Sequence, residues 1–84
     1  MTSAPAITAI ETGDGFTWDW TFSNPWQWQI QQSLDDGATW IVLDEIGGAE
    51  RGYQPSTGGT FRICGVNEDY LPITAPSNVL VLVF

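Results

Sequence analysis

The chain has 84 residues, enough for one small domain, of which 43% are hydrophobic and 13% aromatic, and it contains no histidine. Ten acidic residues against two basic ones give a net charge of −8, which argues against nucleic acid and anionic membranes as partners, because both are bound by clustered cations. The single cysteine, Cys64, excludes an internal disulfide and a cluster of thiolate ligands.

Seven short strands are predicted, because residues typical of strands recur between turns rich in Pro and Gly, roughly every ten residues. No segment shows a helical period of useful length. The predicted strands, in chain order, are 6–11, 16–22, 26–32, 39–43, 51–54, 60–66 and 78–84. This pattern predicts an all-β, two-sheet antiparallel sandwich that forms a single domain over residues 1–84.

The third and fourth strands are predicted to form a hairpin. Residues 26–31 alternate apolar and amide side chains, which is typical of a strand with one buried face. The segment 35–37 (Asp-Asp-Gly) has turn chemistry, and the β-branched and aromatic residues 39–43 return as the second strand. The alternation places Trp28 in the interior, with Trp18 and Trp20 of the second strand.

Four motifs occur in the order of a known family. They are Phe16-x-Trp18-x-Trp20, Trp28-x-Ile30, residues 61–67 (Phe-Arg-Ile-Cys-Gly-Val-Asn) and residues 77–81 (Ser-Asn-Val-Leu-Val). Together they resemble a fibronectin type III domain, and the resemblance implies a seven-stranded Greek-key, immunoglobulin-like sandwich. It also implies that Trp20 is the core tryptophan and that Phe61 occupies the tyrosine-corner position, although Phe61 lacks the hydroxyl that bonds the main chain there. In that topology the strands 39–43 and 78–84 are the two edges of one sheet.

A second motif lies inside the hairpin. Ser33-x-Asp35-x-Gly37-x-Thr39-Trp40 resembles the Asp-box of sialidases and other β-propellers. A propeller needs at least about four sheets, and this chain has residues for two. We therefore interpret the motif as turn chemistry, with Trp40 packed over the loop.

Neither an active site nor a cofactor or metal site is expected. The acidic pairs at 35–36, 44–45 and 68–69 consist of adjacent residues, which point to opposite faces of a strand and do not converge as an acid–base pair. Solvated loop charge is the simpler interpretation, with weak Ca²⁺ binding in a turn as the alternative. Cys64 has no histidine or lysine in the chain to activate it as a nucleophile.

A partner interface is predicted where the alternation fails. Residues 40–43 and 79–84 are apolar at successive positions, whereas only one face of a strand in a two-sheet sandwich meets the core. The expected interface comprises Gln27, Gln29, Gln31, Leu80, Leu82 and Phe84, on the sheet face that also bears Arg62, Cys64 and Val66. The pattern leaves open which alternate set of residues 79–84 faces the core.

These features predict a non-enzymatic structural module that binds neighbouring protein subunits. Residues 1–5 contain no basic region followed by an apolar run, so we expect no secretory signal. An acidic domain of this kind resembles the small decoration or accessory proteins of bacteriophage virions, made in the host cytoplasm and bound to capsid, tail or sister subunits. The alternative is a glycan-binding module in which Trp26 or Trp40 stacks on a sugar.

Overall fold

A computed structural model describes residues 7–83 of the chain, which form seven strands in two antiparallel sheets and no helix. The strands are β1 (Ala9–Thr12), β2 (Gly15–Trp18), β3 (Gln27–Ser33), β4 (Ile41–Gly47), β5 (Gly52–Tyr53), β6 (Gly59–Val66) and β7 (Leu80–Leu82). One sheet has the order β1-β2-β5 and the other β4-β3-β6-β7. The all-β class is confirmed, as is the placement of the fourth and last strands at the two edges of one sheet.

The alternation predicted for the third strand is present in β3. Trp28 and Ile30 are fully buried on one side, whereas Gln29 and Gln31 are partly exposed on the other. β3 pairs with β6 over its whole length, and a bulge interrupts its pairing with β4 between Ile30 and Gln31. β4 runs from residue 41 to residue 47, later in the chain than the predicted 39–43.

The core lies between the two sheets and receives side chains from both. The buried cluster consists of Ile7, Ala9, Phe16, Trp18, Trp28, Ile30, Phe61, Ile63, Leu80 and Leu82. Ring contacts join the sheets, with centroids 6.0 Å apart for Phe16 and Phe61 and 5.7 Å apart for Trp18 and Trp28. Each such ring removes about 150–250 Å² from water, so a few aromatics supply much of the buried apolar area of this small domain.

β2 is shorter than predicted, because it ends at Trp18 and not at residue 22. Trp20 lies beyond the strand, half-buried, and packs edge-on against Trp28 at 5.3 Å between centroids. The implied role of Trp20 as the core tryptophan is therefore wrong: Trp18 and Trp28 fill the interior, with exposed fractions of 2% and 0%. The alternation of aromatic residues at 16, 18 and 20 therefore extends beyond the strand, and Trp20 packs against Trp28 from a loop.

The orientation of β7 is fixed by Asn78. Its side-chain amide accepts the N–H of Ala9 at 2.7 Å and donates to the C=O of Ala9 at 3.1 Å, which ties the start of β7 to β1. Leu80 and Leu82, each 4% exposed, then face the core. The predicted place of these two leucines in the partner interface is therefore wrong.

The alternate residues of the last segment face outward instead. Val79, Val81 and Val83 are 52%, 57% and 90% exposed. Phe84, the remaining residue predicted for this part of the interface, lies outside the described residues.

Leu82→Ala is expected to lower the free energy of unfolding by about 2–5 kcal/mol, because it leaves a cavity in the core. Val81→Ala, the adjacent substitution on the exposed side, is expected to change it by less than about 0.5 kcal/mol. Urea unfolding followed by tryptophan fluorescence measures both. Equal losses for the two variants would contradict the assignment of faces in β7.

Candidate interaction surface

The face of the four-stranded sheet that points away from the core, called here the outer face, contains the predicted glutamines. Cross-strand partners share a face, so the register defines its members. They are Gln27, Gln29, Gln31 and Ser33 of β3, Val42, Glu45 and Gly47 of β4, Thr60, Arg62, Cys64 and Val66 of β6, and Val81 of β7. Glu45 is the one carboxylate among these strand residues, although the chain has ten acidic residues.

A chain of polar contacts crosses the middle of the outer face. Arg62 donates its Nε–H to Gln31 Oε1 at 2.6 Å, and Gln31 donates from Nε2 to Gln29 Oε1 at 2.8 Å. The guanidinium carbon of Arg62 also lies 4.3 Å from the ring centroid of Trp40, a cation–π contact. We call these four residues the polar ladder. Because their side chains are already held in place, less conformational entropy is lost when a partner covers them.

Two residues predicted for this face, or beside it, are not available to a partner, and a third has a buried side-chain oxygen. Cys64 and Val66 are 3% and 1% exposed, because the segment after β6 folds back over them: Thr74 donates its hydroxyl to Cys64 Sγ and accepts the Gly65 N–H at 3.0 Å. Burial raises the pKa of the Cys64 thiol above its ordinary value. Gln27 lies at the end of the face, with its Oε1 buried and without a hydrogen-bond partner among the described residues.

The two tryptophans proposed for sugar binding do not form one platform. Trp26 is 53% exposed just before β3, and Trp40 is half-buried just before β4. The register pairs Gln27 with Gly47 and Gln32 with Ile41, so the two rings belong to opposite ends of the β3–β4 ladder, about 17 Å apart along the strand. The Trp40 ring is moreover in contact with the Arg62 guanidinium in the polar ladder.

A cleft beside the end of β2 was missed by the sequence analysis. Its volume is about 240 Å³ and it is lined by Thr8, Asp19, Trp20, Thr21 and Phe22. The Trp20 and Phe22 rings meet edge to face at 5.3 Å, and Phe22 is 60% exposed. The predicted second strand runs to residue 22 and so hides the cleft, because the turn residues 23–25 mark an end only after Phe22.

The Asp-box segment builds the β3–β4 turn, as predicted. Ser33 Oγ donates to Asp35 Oδ1 and accepts the N–H of Gly37 at 2.7 Å. Asp35 in turn accepts the N–H and the hydroxyl of Thr39, at 2.8 and 2.5 Å. Asp36 and Gly37 have φ values of 58° and 92°, the left-handed region that a tight turn requires. These bonds, the Thr39 hydroxyl foremost, lower the pKa of Asp35 to about 2.

Thr39→Val is expected to raise the pKa of Asp35 from about 2 toward its ordinary value of 3.8, because the hydroxyl is lost while the β-branched shape stays. The pKa of Asp35 is lower in the folded than in the unfolded chain. Its contribution to the free energy of unfolding of the wild type is therefore full above about pH 4 and is lost as the pH falls through 2. A carboxyl ¹³C NMR titration measures the pKa. Thr12→Val, a control on β1, should leave it unchanged; an unchanged value in Thr39→Val would contradict the assignment.

Within residues 7–83, no three side chains of Cys, Asp or Glu converge in a way that could hold a metal ion. Over the same residues, no helix is long and apolar enough to cross a membrane.

Comparison with known proteins gives no further assignment. The chain matches no protein-family model, no curated protein and no solved structure at a significant level.

Proposed function

We propose that the chain is a fibronectin type III or immunoglobulin-like Greek-key sandwich that acts as a non-enzymatic interaction module. Its role is that of a structural subunit that binds neighbouring proteins, and the assembly we propose is a bacteriophage virion, with the chain as a decoration or accessory protein. The observation that supports this best is the outer face: an ordered polar ladder with exposed valines on both sides and a single carboxylate.

The strand order supports the fold part of the proposal. The resemblance implies a sheet with the fourth and last strands at its edges and the third and sixth in the middle, which is the order β4-β3-β6-β7. The remaining strands form the three-stranded sheet. The connections from β2 to β3, from β4 to β5 and from β5 to β6 cross between the two sheets, which is compatible with a Greek key.

The chemistry of the outer face favours a protein partner. Val42 and Val81 are 52% and 57% exposed on the two edge strands, with the polar ladder between them. Apolar groups around oriented amides, with charge kept to a minimum, are typical of the buried centre of protein interfaces. Elsewhere the chain is strongly acidic, with a net charge of −8, so the outer face is also where an acidic partner meets the least repulsion.

The redox chemistry of the chain suits a virion assembled inside a bacterial cell. Its one thiol, Cys64, is free and buried, so the fold requires no oxidising compartment. Phage particles assemble in the reducing cytoplasm, where a domain of this kind is stable without a disulfide.

Val81→Glu is expected to weaken binding of the recombinant chain to purified phage particles assembled without it by more than about tenfold, because it buries a charge in the interface. Ile10→Glu is the matched control: Ile10 is 59% exposed on β1 of the other sheet, so this variant should bind like the wild type. Binding is measured by co-sedimentation with the particles, and circular dichroism verifies that both variants are folded.

Two outcomes would contradict the proposal. Absence of the native chain from particles purified from its source, as judged by mass spectrometry, would remove the virion role. Equal binding by Val81→Glu and the wild type would show that the outer face is not the contact.

A glycan-binding module is the second candidate, and the cleft beside β2 is the observation that favours it. The Trp20 indole N–H is held by the Ser23 carbonyl at 2.9 Å, which orients the ring beside the exposed Phe22 and the Asp19 carboxylate. Apolar aromatic surface with a few oriented polar groups is what a sugar ring requires.

If this candidate is right, methyl glycosides of common hexoses should shift the tryptophan emission of the chain, and Phe22→Ala should abolish the shift. Tyr70→Ala, which removes an aromatic ring that is 52% exposed in another loop, should leave the shift intact. Emission that does not respond to any of these sugars would exclude the cleft as a site for them.

A further inference from the structure

We propose that a second copy of this chain pairs antiparallel with the free edge of β4, through a two-fold axis at Val42. The resulting dimer continues the four-stranded sheet across two chains. This pairing uses the backbone edge of the sheet, although Val42 also belongs to the outer face, and it does not depend on the function proposed above.

The first half of β4 has the properties of an unprotected edge. Ile41, Val42 and Leu43 are 49%, 52% and 41% exposed, and no residue of β4 is fully buried. β4 is the outermost strand of its sheet, so the backbone groups on its far side have no strand partner among the described residues. An apolar edge with free N–H and C=O groups is a template for pairing with another strand.

The second half of β4 is blocked by local contacts. The N–H of Glu45 is bonded to Asp44 Oδ1 at 2.8 Å, and Asp44 Oδ2 accepts the Tyr53 hydroxyl at 3.1 Å. The C=O of Gly47 accepts the N–H of Glu50 at 3.0 Å. Carboxylates and bulges are means by which natural sheets protect their edges. Here the carboxylates lie after Leu43, and the bulge falls at Leu43 itself, between Val42 and Asp44.

Charge selects the register of the pairing. With Val42 opposite Val42 of the second copy, Ile41 lies opposite Leu43, and residue 44 lies opposite residue 40. The two Asp44 carboxylates are then four residues of strand apart, about 13 Å, which exceeds the screening length of about 8 Å at physiological ionic strength. Pairing centred on Asp44 would instead place these like charges directly opposite each other, which is destabilising.

A second copy fits the edge formed by β4 better than it fits the opposite edge of the sheet, formed by β7. A contact between β4 of one chain and β7 of the next would be heterologous and would lead to a ring or an open fibre, whereas β4 against β4 closes as a dimer with both apolar segments covered. β7 also offers only the three residues Leu80–Leu82. The self-complementary arrangement of three apolar residues followed by carboxylates therefore points to a dimer.

The first test is the oligomeric state of the whole chain. Light scattering and sedimentation equilibrium are expected to show a monomer–dimer equilibrium, and Val42→Lys should raise its dissociation constant by more than about tenfold, because it places a charge at the centre of the pairing. Val81→Lys on β7 is the matched control and should leave the dimer unchanged. Each substitution adds one positive charge to a net −8, so general repulsion between chains falls equally in both.

The second test is the register. In a Cys64→Ser background, oxidation with copper phenanthroline should cross-link Val42→Cys into a covalent dimer, because paired Cα atoms across a two-fold lie within the roughly 7 Å that a disulfide spans. Glu45→Cys should not cross-link, because residue 45 of each chain lies opposite residue 39 of the other, about 20 Å from its counterpart. Preferential cross-linking of Glu45→Cys would overturn the register proposed.

Several results would overturn the dimer itself. These are a chain that stays monomeric up to about 1 mM, association that grows into fibres, and a dimer that is lost in Val81→Lys and kept in Val42→Lys. Salt gives one more criterion: because both chains are acidic, the dissociation constant should fall as NaCl is added, and a rise would show that ion pairs hold the contact instead. All of these measurements use the isolated chain, so they are independent of any result with phage particles.

Discussion

The pairing of β3 with β6 is the constraint on which the rest of the molecule depends. Seven residue pairs run without a shift from Gln27 opposite Val66 to Ser33 opposite Thr60. On one side of this ladder Trp28 and Ile30 lie in the core with Phe61 and Ile63, all four with no exposed surface. A slip of β3 by one residue against β6 would move Trp28 and Ile30 to solvent and bring the glutamines inside, so burial of the aromatic core and the composition of the outer face are set together.

The turn after β3 adds a local constraint that reaches the outer face. Ser33 and Asp35 hold the backbone of the turn, which brings the chain back with Trp40 at the entrance to β4. There the Trp40 ring meets Arg62, a residue of β6, whose Nε–H is bonded to Gln31. A motif of purely local hydrogen bonds therefore positions one end of a contact network that joins β3, β6 and the residue just before β4.

Much of this arrangement is legible in the sequence because period-two alternation and turn residues agree with each other between residues 26 and 43. The parity of the last strand was not legible, since residues 79–83 are apolar at every position and alternation gives no preference. The face that each residue of the last strand takes is set by a long-range contact, the hydrogen bonds between Asn78 and Ala9, which no pattern in the sequence predicts.

Two other features could not be predicted for a related reason. Trp20 follows the alternation of β2 and yet packs from a loop, because packing, not strand pairing, buries it. Cys64 and Val66 have the outward parity of Arg62, yet the segment around Thr74 covers them. Alternation predicts the face on which a side chain lies; it does not predict which loop later covers that face.

The edge and the face of the four-stranded sheet are geometrically linked. Antiparallel pairing of two β4 strands within one sheet requires a two-fold axis perpendicular to that sheet, so the outer faces of both copies lie on the same side. A dimer would present two polar ladders in one surface. Against a partner that repeats in space, as the subunits of a virus particle do, the second contact becomes intramolecular, and binding is strengthened without any new type of contact. Weak pairing at an edge of three apolar residues would then be sufficient for the dimer to form on that partner, because the repeating partner raises the local concentration of the chain.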